Sequence, residues 1–327
     1  MKASVLVVGG AGYIGSHMVR ELLAGGYGVV VLDNLTRGHR DLLLGGTFIE
    51  GDLGDPALLH AIFSQHHIDA VMHFAAYSLV GESVELPLVY YRNNLARTVE
   101  LLDAMIAHGI KRFIFSSSAA VYGEPEGTPI GEDYPCHPTN PYGETKLAAE
   151  HLLRDSAAAH GLCYVSLRYF NAAGADASGL IGERHHPESH LIPLVLQVAT
   201  GERPGITIFG TDYPTPDGTC VRDYVHVTDL AQAHLLALSF LMGGGENAVY
   251  NLGNSRGYSV REVIEVARRV SGHPIPETIA GRRPGDPAVL IADSTKIRRE
   301  LGWRPRYEDL VSIVETAWVW HKRESAH

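Results

Sequence analysis

The feature that most constrains the fold is a glycine-rich turn between an apolar strand pattern and a helix pattern. The segment VVGGAGYIGSHMVREL (7–22) places Gly9, Gly12 and Gly15 in a G-x-x-G-x-x-G frame. Residues without a Cβ let the backbone approach a phosphate, and the amides and dipole at a helix start favour negative charge. The frame alone is weak evidence, because the chain contains 35 glycines. Its position between strand and helix makes it typical of a dinucleotide-binding turn.

The same alternation of strand and helix continues along the first half of the chain. Short apolar runs predict strands at 4–10, 27–33, 47–53, 68–76, 111–118 and 163–171. Helical patterns fill the intervals at 13–25, 56–66, 92–108 and 141–160. Continuous apolar strands separated by helices predict a parallel sheet covered on both faces. The fold class is therefore α/β, with a doubly wound parallel sheet of the Rossmann type.

The local amino-acid composition changes near residue 172, where Gly, Pro and His become frequent. We predict a Rossmann domain at 1–171 and a smaller C-terminal α/β substrate-binding region at 172–327. The regular segment 221–241 is expected to return to the first domain. Loop-rich regions of this kind commonly carry substrate specificity over a rigid platform.

Composition narrows the class of protein. The net charge of −10 and pI of about 6.0 argue against nucleic acid or an anionic membrane as the main partner. The cysteines at 136, 163 and 220 have no CxxC spacing, which indicates reduced thiols. The N-terminal stretch lacks a signal-peptide pattern, and no apolar run approaches about eighteen residues. These features predict a cytoplasmic protein.

Acidic residues after the second and third strands bear on the cofactor. Asp33 ends the second strand, 24 residues after Gly9, where a carboxylate binds ribose hydroxyls and repels a 2′-phosphate. This position favours NAD, although Arg37 nearby leaves NADP open. Asp52 could lie near the adenine or equally serve as a turn aspartate. His73, on the fourth strand, is expected to be a packed or hydrogen-bonded histidine.

A tyrosine and a lysine lie one helical turn apart in NPYGETK (140–146). With 15 tyrosines and 5 lysines, chance predicts about 0.2 pairs of this spacing, so a solvent-facing coincidence is the weaker interpretation. Tyr142 and Lys146 share a helix face, and an adjacent ammonium lowers the pKa of a phenol. Three serines (116–118) end the fifth strand at the sheet edge where ligands bind. We therefore expect a tyrosine base with a serine relay.

Several longer motifs carry a resemblance. GGAGYIGSH, GESVELPLVYYRNN, FSSSAAVYG, LRYFNAAGA, DYPTPDGTCVRDYVHVTDLA and RRPGD occur in this order. With the glycine frame and the Tyr-x-x-x-Lys pair, the chain resembles the extended short-chain dehydrogenase/reductase superfamily. Within this superfamily, these motifs are similar to those of the UDP-glucose 4-epimerase (UDP-galactose 4-epimerase) family. The similarity extends from residue 4 to about residue 303.

The resemblance implies roles for individual positions. Tyr142 is the implied catalytic base, Lys146 the group that holds the nicotinamide ribose, and Ser118 the relay. The implied NAD contacts are Gly9, Gly12, Tyr13, Ile14, Gly15, Asp33, Asn34, Leu35, Thr36, Arg37, Gly38, Asp52, Leu53, Phe74, Ala75, Ala76, Ser78, Asn93, Ser118, Tyr142, Lys146 and Phe170. The implied substrate contacts are Ser118, Tyr142, Asn171, His190, Leu191, Arg222, Tyr224, Arg283, Asp286 and Leu290.

The implied reaction is reversible C4 epimerisation of UDP-glucose and UDP-galactose through a transient 4-keto sugar, with enzyme-bound NAD. The resemblance also implies a homodimer formed through a helix bundle. Two positions depart from the family pattern: Ser78 stands where some relatives carry a basic residue, and Leu290 where a tyrosine is often found. We expect Leu290 to widen the pocket enough for UDP-GlcNAc and UDP-GalNAc.

Alternative readings remain. A UDP-pentose (xylose or arabinose) 4-epimerase shares these motifs, and a catalytically silent NAD-binding sensor or interaction protein would share the fold. A 4,6-dehydratase would need an acidic pair where this chain has Ala119 and Ala120. The segment ERHHPESH (183–190) has irregular histidine spacing, so we expect a substrate loop there and no metal.

Overall fold

The computed structural model describes residues 2–283 and 285–325. Its strands are β1 Ser4–Val8, β2 Gly28–Asp33, β3 Thr47–Glu50, β4 Ala70–His73, β5 Arg112–Ser118, β6 Cys163–Tyr169, β7 Asn171–Ala173, β8 Ile206–Phe209, β9 Val221–His226, β10 Ala248–Leu252, β11 Gly257–Ser259, β12 Glu277–Ala280 and β13 Val289–Leu290.

The helices are α1 Tyr13–Ala24, α2 Pro56–Gln65, α3 Val80–Glu85, α4 Pro87–Tyr90, α5 Arg97–Ala107, α6 Pro141–His160, α7 Leu191–Ala199, α8 Val227–Met242, α9 Val260–Ser271, α10 Thr295–Leu301 and α11 Leu310–Glu324. A π-helical turn, Tyr91–Ala96, joins α4 to α5, where the sequence pattern predicted one continuous helix. Across the residues that the structure describes, no helix has the length and apolar character needed to cross a bilayer.

Within the described residues, seven parallel strands form the main sheet in the order β10-β6-β5-β4-β1-β2-β3. The predicted doubly wound α/β fold is confirmed. Strand β1 lies between β2 and β4, so the chain leaves β1 toward one edge and later crosses to the other side. Loops that leave the carboxyl ends of β1 and β4 diverge at this point, and ligands bind in the crevice between them.

Burial on both faces explains why the strands are continuous apolar runs. Val5 and Val7 of β1 pack on the face covered by α1 and α8. Leu6 and Val8 point to the opposite face, which α2, α5 and α6 cover. Because successive side chains of a strand alternate between faces, neither face can be polar here.

Helix α8 packs against α1, β5 and β6, so the chain returns to the main sheet after residue 226. Strand β10 then pairs in parallel with β6, with Ala248 opposite Val165. The sequence pattern predicts the return of 221–241 alone. Strand β10 is an additional edge strand drawn from the second region. The division of the chain at residue 171 stays a prediction.

The second region is organised around β9. This strand pairs in parallel with β7 and β13 and antiparallel with β11, while β8 and β12 form a separate pair. Helices α7, α9 and α11 enclose an apolar core that includes Ile192, Ile264 and Ile313. A capping box in which Ser259 and Glu262 bond each other's backbone amides begins α9.

Candidate active site

The glycine turn after β1 has one open surface. Gly9 has a φ of +79°, and a Cβ there would lie 2.5 Å from the backbone nitrogen of Ala75. A Cβ on Gly15 would lie 2.2 Å from the Gly9 carbonyl oxygen. The chain itself therefore requires these two glycines. A Cβ on Gly12 would meet that same oxygen at 3.4 Å, an ordinary contact, so Gly12 leaves room for a ligand.

Helix α1 begins directly behind this surface. Its N-cap is Gly12, and in the described part of the chain no side chain caps it and no acidic residue stands in its first turn. The first amides and the positive end of the helix dipole are thus free to meet an anion. The turn fits the diphosphate of a dinucleotide.

Asp33 ties the end of β2 to this turn. One carboxylate oxygen accepts from the Ala11 amide at 2.9 Å and the other from the Leu35 amide at 2.9 Å. Burial raises the pKa of Asp33, and these hydrogen bonds oppose the rise. Arg37 donates to Glu82 at 3.1 Å and to the His186 carbonyl at 2.7 Å. Its charge is already compensated within the protein, which removes the main argument for NADP.

Asp52 belongs to a polar network at the start of the loop after β3. It accepts from Asn34 at 2.6 Å, from Arg97 at 2.9 Å and from the Gly54 amide at 2.7 Å. Arg97 also donates to Asn93 at 2.9 Å. The turn role that the sequence analysis weighed for Asp52 is present, and its contact with adenine stays a prediction.

Asn94 holds the loop after β4 in place. The sequence motifs indicated its neighbour Asn93 and not Asn94. Asn94 is buried, accepts from the Tyr77 amide at 2.9 Å, and donates to the Tyr77 carbonyl at 2.9 Å. It also donates to Thr145 of α6 at 3.2 Å, while Asn93 donates to Asn94 at 3.0 Å. The Asn-Asn pair within a helical pattern was the available signal. It lies in the π-helical turn, and such turns often occur at functional sites.

His73 at the end of β4 is a buried, hydrogen-bonded histidine, as expected. Its Nε2 lies 3.0 Å from the hydroxyl of Thr98. Burial, together with the nearby Lys146 charge, lowers the pKa of His73 to about 3. The ring is therefore neutral at physiological pH.

The serines at the end of β5 have three different surroundings. The Ser116 carbonyl accepts from Nζ of Lys146 at 2.8 Å. Ser117 donates to Glu150 at 2.5 Å. Ser118 accepts from the Ala120 amide at 3.1 Å, and its side chain interacts with the phenol of Tyr142. Only Ser118 is positioned to exchange a proton with the tyrosine.

Tyr142 and Lys146 face the sheet edge from the first turns of α6. Asn140 caps this helix by accepting from the Gly143 amide at 2.9 Å, and Pro141 begins it, as the NPYGETK pattern predicts. Tyr142 is 9% exposed and Lys146 4% exposed. The ammonium lies 5.9 Å from the centroid of the Tyr142 ring.

The predicted lowering of the phenol pKa stays a prediction, because it needs the charge of a bound nicotinamide beside that of Lys146. Burial raises the pKa of Tyr142, and the Ser118 hydrogen bond opposes the rise only in part. Burial also lowers the pKa of Lys146 to about 7, against the charge of Glu150. The lysine is only partly charged near neutral pH, so desolvation dominates both groups.

A buried network behind this pair was not predicted. Glu150 accepts from Arg168 at 2.9 and 2.5 Å, and both side chains are 7% exposed. Arg168 donates to the Tyr122 hydroxyl at 2.9 Å, which donates to Asn251 of β10 at 2.8 Å. This network, with Ser117, binds α6 to β5, β6 and β10. Its signal was the spacing of Glu150, four residues after Lys146 on the same helix face.

The predicted substrate residues cluster around β9. Asn171 pairs with Tyr224, and Leu290 pairs with Arg222. Arg222 and Tyr224 are two residues apart and share one face of the strand. Arg222 also forms an ion pair with Asp286. The structure thus brings these five residues together, although they span more than 110 positions of sequence.

Strands β6 and β7 place this cluster next to the catalytic residues. Ser118 pairs with Tyr169, the last residue of β6. Asn171 follows only two residues later, about 7 Å along an extended chain. Arg283 is linked to the cluster by the hydrogen bond from the Asp286 amide to its carbonyl at 3.3 Å. Its guanidinium lies 3.9 Å from the centroid of the Phe209 ring.

His190 and Leu191 mark the start of α7. His190 is the N-cap, without a side-chain cap bond in the described residues, and Leu191 packs against the core of the second region. Nδ1 of His190 lies 2.6 Å from Glu183. His185 and Glu188 lie beside them, so a segment with irregular histidine spacing folds into one compact group.

The other predicted cofactor residues share a location. They follow the carboxyl ends of parallel strands, which meet at one edge of the sheet. They are Tyr13 and Ile14 after β1, Thr36 and Gly38 after β2, Leu53 after β3, Phe74, Ala76 and Ser78 after β4, and Phe170 after β6. Their contacts with a dinucleotide stay predictions.

Known proteins share this arrangement. The NAD dependent epimerase/dehydratase family matches residues 5–253. A UDP-glucose 4-epimerase of Halalkalibacterium halodurans is 58% identical and covers 98% of this chain and 96% of its own. A crystal structure of a UDP-glucose 4-epimerase superposes with a TM-score of 0.96 at 53% identity, covering 98% of each chain. The Brucella ovis enzyme of that name, in complex with NAD, superposes at 0.94 with 50% identity and covers 97% of each chain. The chain belongs to the NAD dependent epimerase/dehydratase family.

Proposed function

We propose that this protein interconverts UDP-glucose and UDP-galactose by NAD-dependent epimerisation at C4 of the hexose. The observation that carries the proposal is the placement of Tyr142, Ser118 and Lys146. They lie between a turn that fits a dinucleotide diphosphate and an arginine cluster that fits a nucleotide diphosphate. The names of the near full-length relatives support the same activity.

NAD is the cofactor, and the residues present fit it. The open surface at Gly12 and the uncapped start of α1 suit its diphosphate, and Asp33 stands where its ribose would lie. When bound, NAD⁺ supplies a reversible hydride acceptor for C4 and a positive charge beside the phenol.

Tyr142 takes the proton of the sugar 4-hydroxyl during oxidation and returns it during reduction. Ser118 accepts from the Ala120 amide and lowers the pKa of the phenol, so we place its hydroxyl in the proton path between sugar oxygen and tyrosine. Lys146 is held at the end of β5 by the Ser116 carbonyl, where it can bind a ribose hydroxyl. Burial of the phenol keeps water from competing for the proton.

The UDP moiety supplies the binding energy. Arg222 and Arg283 can hold the diphosphate, and Asp286 can hold a ribose hydroxyl or share Arg222. Epimerisation requires the 4-keto sugar to present its opposite face to the same hydride donor. An anchored diphosphate with few sugar contacts retains the intermediate while the hexose turns.

Leu290 supports a broader substrate range. Its half-buried side chain packs against a cluster containing Ala119 and Phe170, the residues that directly follow Ser118 and Tyr169. A leucine is smaller than a tyrosine at this position, so the site has more room beside the sugar. We infer that N-acetylated UDP-hexoses are also epimerised.

We further propose a cytoplasmic homodimer. Helices α3 to α5 and the π-helical turn between them expose apolar side chains, among them Val84 at 62% and Leu88 at 74%. An exposed apolar patch of this kind is typical of a protein–protein interface. All three cysteines lie in the described residues with free thiols, which suits a reducing compartment.

The decisive experiment replaces Tyr142 with Phe. We expect kcat for UDP-galactose to fall by about 10²–10⁴, because the proton acceptor is lost. The affinity for UDP should stay within about twofold, because the arginine cluster is untouched. Tyr27→Phe, at the opposite end of the sheet, is the matched control. Turnover of Tyr142→Phe near that of the control would contradict the proposal.

A further inference from the structure

The loop before α7 gathers two carboxylates and two imidazoles at one point. Nδ1 of His185 lies 3.2 Å from Glu183 and 3.6 Å from Glu188. Nδ1 of His190 lies 2.6 Å from Glu183 and 3.4 Å from Glu188. One ligand atom from each of the four residues falls within 4.8 Å of all the others.

The contacts within this group are ion-pair contacts that lack the alignment of hydrogen bonds. Glu183 Oε1, His185 Nδ1 and His190 Nδ1 are buried and lack a hydrogen bond of acceptable geometry within the described residues. The Glu183 side chain is only 5% exposed and that of Glu188 4%. Buried polar atoms without partners are rare in native proteins, and an ion is one of the groups that satisfies them. The three atoms lie within 4.8 Å of one another and of a Glu188 carboxylate oxygen.

The distances match those between ligands of one metal ion. Bonds of about 2.0–2.2 Å in a tetrahedral site place neighbouring ligand atoms about 3.4 Å apart. The distances from Nδ1 of His185 to Glu183 and to Oε2 of Glu188, 3.2 and 3.6 Å, agree with this value. The distance from His190 to Glu183 would open by about 0.8 Å on binding.

We propose that Glu183, His185, Glu188 and His190 bind one divalent transition-metal ion, with Zn²⁺ as the ion that best fits the donors. Imidazole and carboxylate ligands suit Zn²⁺, and the two buried carboxylate side chains neutralise its charge. Four protein ligands close a tetrahedral shell, so the ion has a structural role.

The surroundings show what this ion would hold together. Oε1 of Glu188 accepts from the amides of Ser189 and His190 at 2.7 and 2.8 Å, which leaves Oε2 for the metal. The Glu183 carbonyl accepts from Trp320 of α11 at 2.9 Å. The ring of His185 packs edge-on against Tyr13, the first residue of α1, at 6.2 Å between centroids. The ion thus joins the start of α1, the start of α7 and α11.

The competing state is a metal-free ionic cluster. The carboxylates would then hold both imidazoles protonated, and the loop would need no ion. The two states predict opposite responses to added metal, and neither response depends on epimerase activity.

The test titrates Zn²⁺ alone into protein stripped with a chelator and dialysed. We expect one Zn²⁺ per chain by calorimetry, and a rise in Tm of roughly 5–10 °C at a hundredfold excess over Kd. His185→Gln should weaken binding by at least about 100-fold, whereas His186→Gln, the adjacent histidine outside the cluster, should bind like the parent.

Two further outcomes make the test decisive. Co²⁺ in the parent protein should give the intense visible absorption of a tetrahedral site, which stands even if His185→Gln does not fold. Absence of Zn²⁺ binding by the parent, or equal binding by folded His185→Gln, would overturn the metal site and identify the ionic cluster.

Discussion

Removing the buried ion pair between Glu150 and Arg168 is the most direct test of what holds α6 against the sheet. Replacing Glu150 with Gln keeps the shape and removes one charge. Burial opposes the charge of Arg168, but its hydrogen bonds and ion pair with Glu150 raise its pKa overall. The variant leaves that guanidinium buried and uncompensated.

The magnitude follows from the burial. Each partner is 7% exposed, so solvent cannot replace the lost charge. Breaking a buried pair by removing one partner costs about 3–5 kcal/mol. At about 2–4 °C per kcal/mol for a chain of this size, Tm should fall by roughly 10 °C. The charge of Glu150 also supports that of Lys146, so turnover at pH 7 should fall as well.

Equilibrium urea unfolding provides the measurement. Asp155→Asn, the same change at an exposed position of α6, should stay within about 0.5 kcal/mol of the parent. The double variant Glu150→Gln/Arg168→Met should lose less unfolding free energy than the two single variants lose together, by at least about 1 kcal/mol. Equal unfolding free energies of Glu150→Gln and Asp155→Asn, or strict additivity of the two single changes in unfolding free energy, would contradict this prediction.

Three other predictions follow from the site. Gly15→Ala places a Cβ 2.2 Å from a backbone oxygen and should lower the free energy of unfolding in urea by about 1–3 kcal/mol. Gly12→Ala should fold normally but lose NAD binding, measured by calorimetry. The reverse pattern would contradict the geometry of the turn. His234 is a buried residue of α8 whose Nδ1 lies 2.8 Å from the Leu230 carbonyl oxygen. Burial lowers the pKa of His73 to about 3 and that of His234 to about 4, so at these two residues the folded state binds fewer protons than the unfolded state. The contribution of each neutral histidine to the free energy of unfolding is fully present above about pH 6.5 and falls by about 2 kcal/mol by pH 5. A free energy of unfolding that is the same at pH 7 and at pH 5 would refute this. Leu290→Tyr should lower kcat/KM for UDP-GlcNAc by at least about tenfold relative to UDP-glucose, and an unchanged ratio would remove the pocket argument.

Local patterns were sufficient to predict the sheet and the position of the site. Apolar runs of strand length alternate with helical spacing, and the right-handed parallel topology follows from that alternation. The glycine frame marks the carboxyl edge because at Gly9 and Gly15 only a residue without a side chain fits. The start of α6 was also predictable, because Asn140 and Pro141 are local capping signals. The spacing of Tyr142 and Lys146 then places both on one helix face.

Long-range packing decided the rest. Strand β10 joins the main sheet because its register with β6 is a tertiary pairing, which no local period encodes. Glu150 and Arg168 meet across β6 and α6, so neither residue alone indicates a buried network.

The electrostatics of the site also needed the tertiary structure. The sequence indicated that Tyr142 and Lys146 are neighbours, but only their burial shows that desolvation raises one pKa and lowers the other. In the same way, the spacing of His185 and His190 along the chain argued against a shared site. The folded loop turns both rings toward Glu183, because distance in space is set by the backbone path and not by the number of intervening residues.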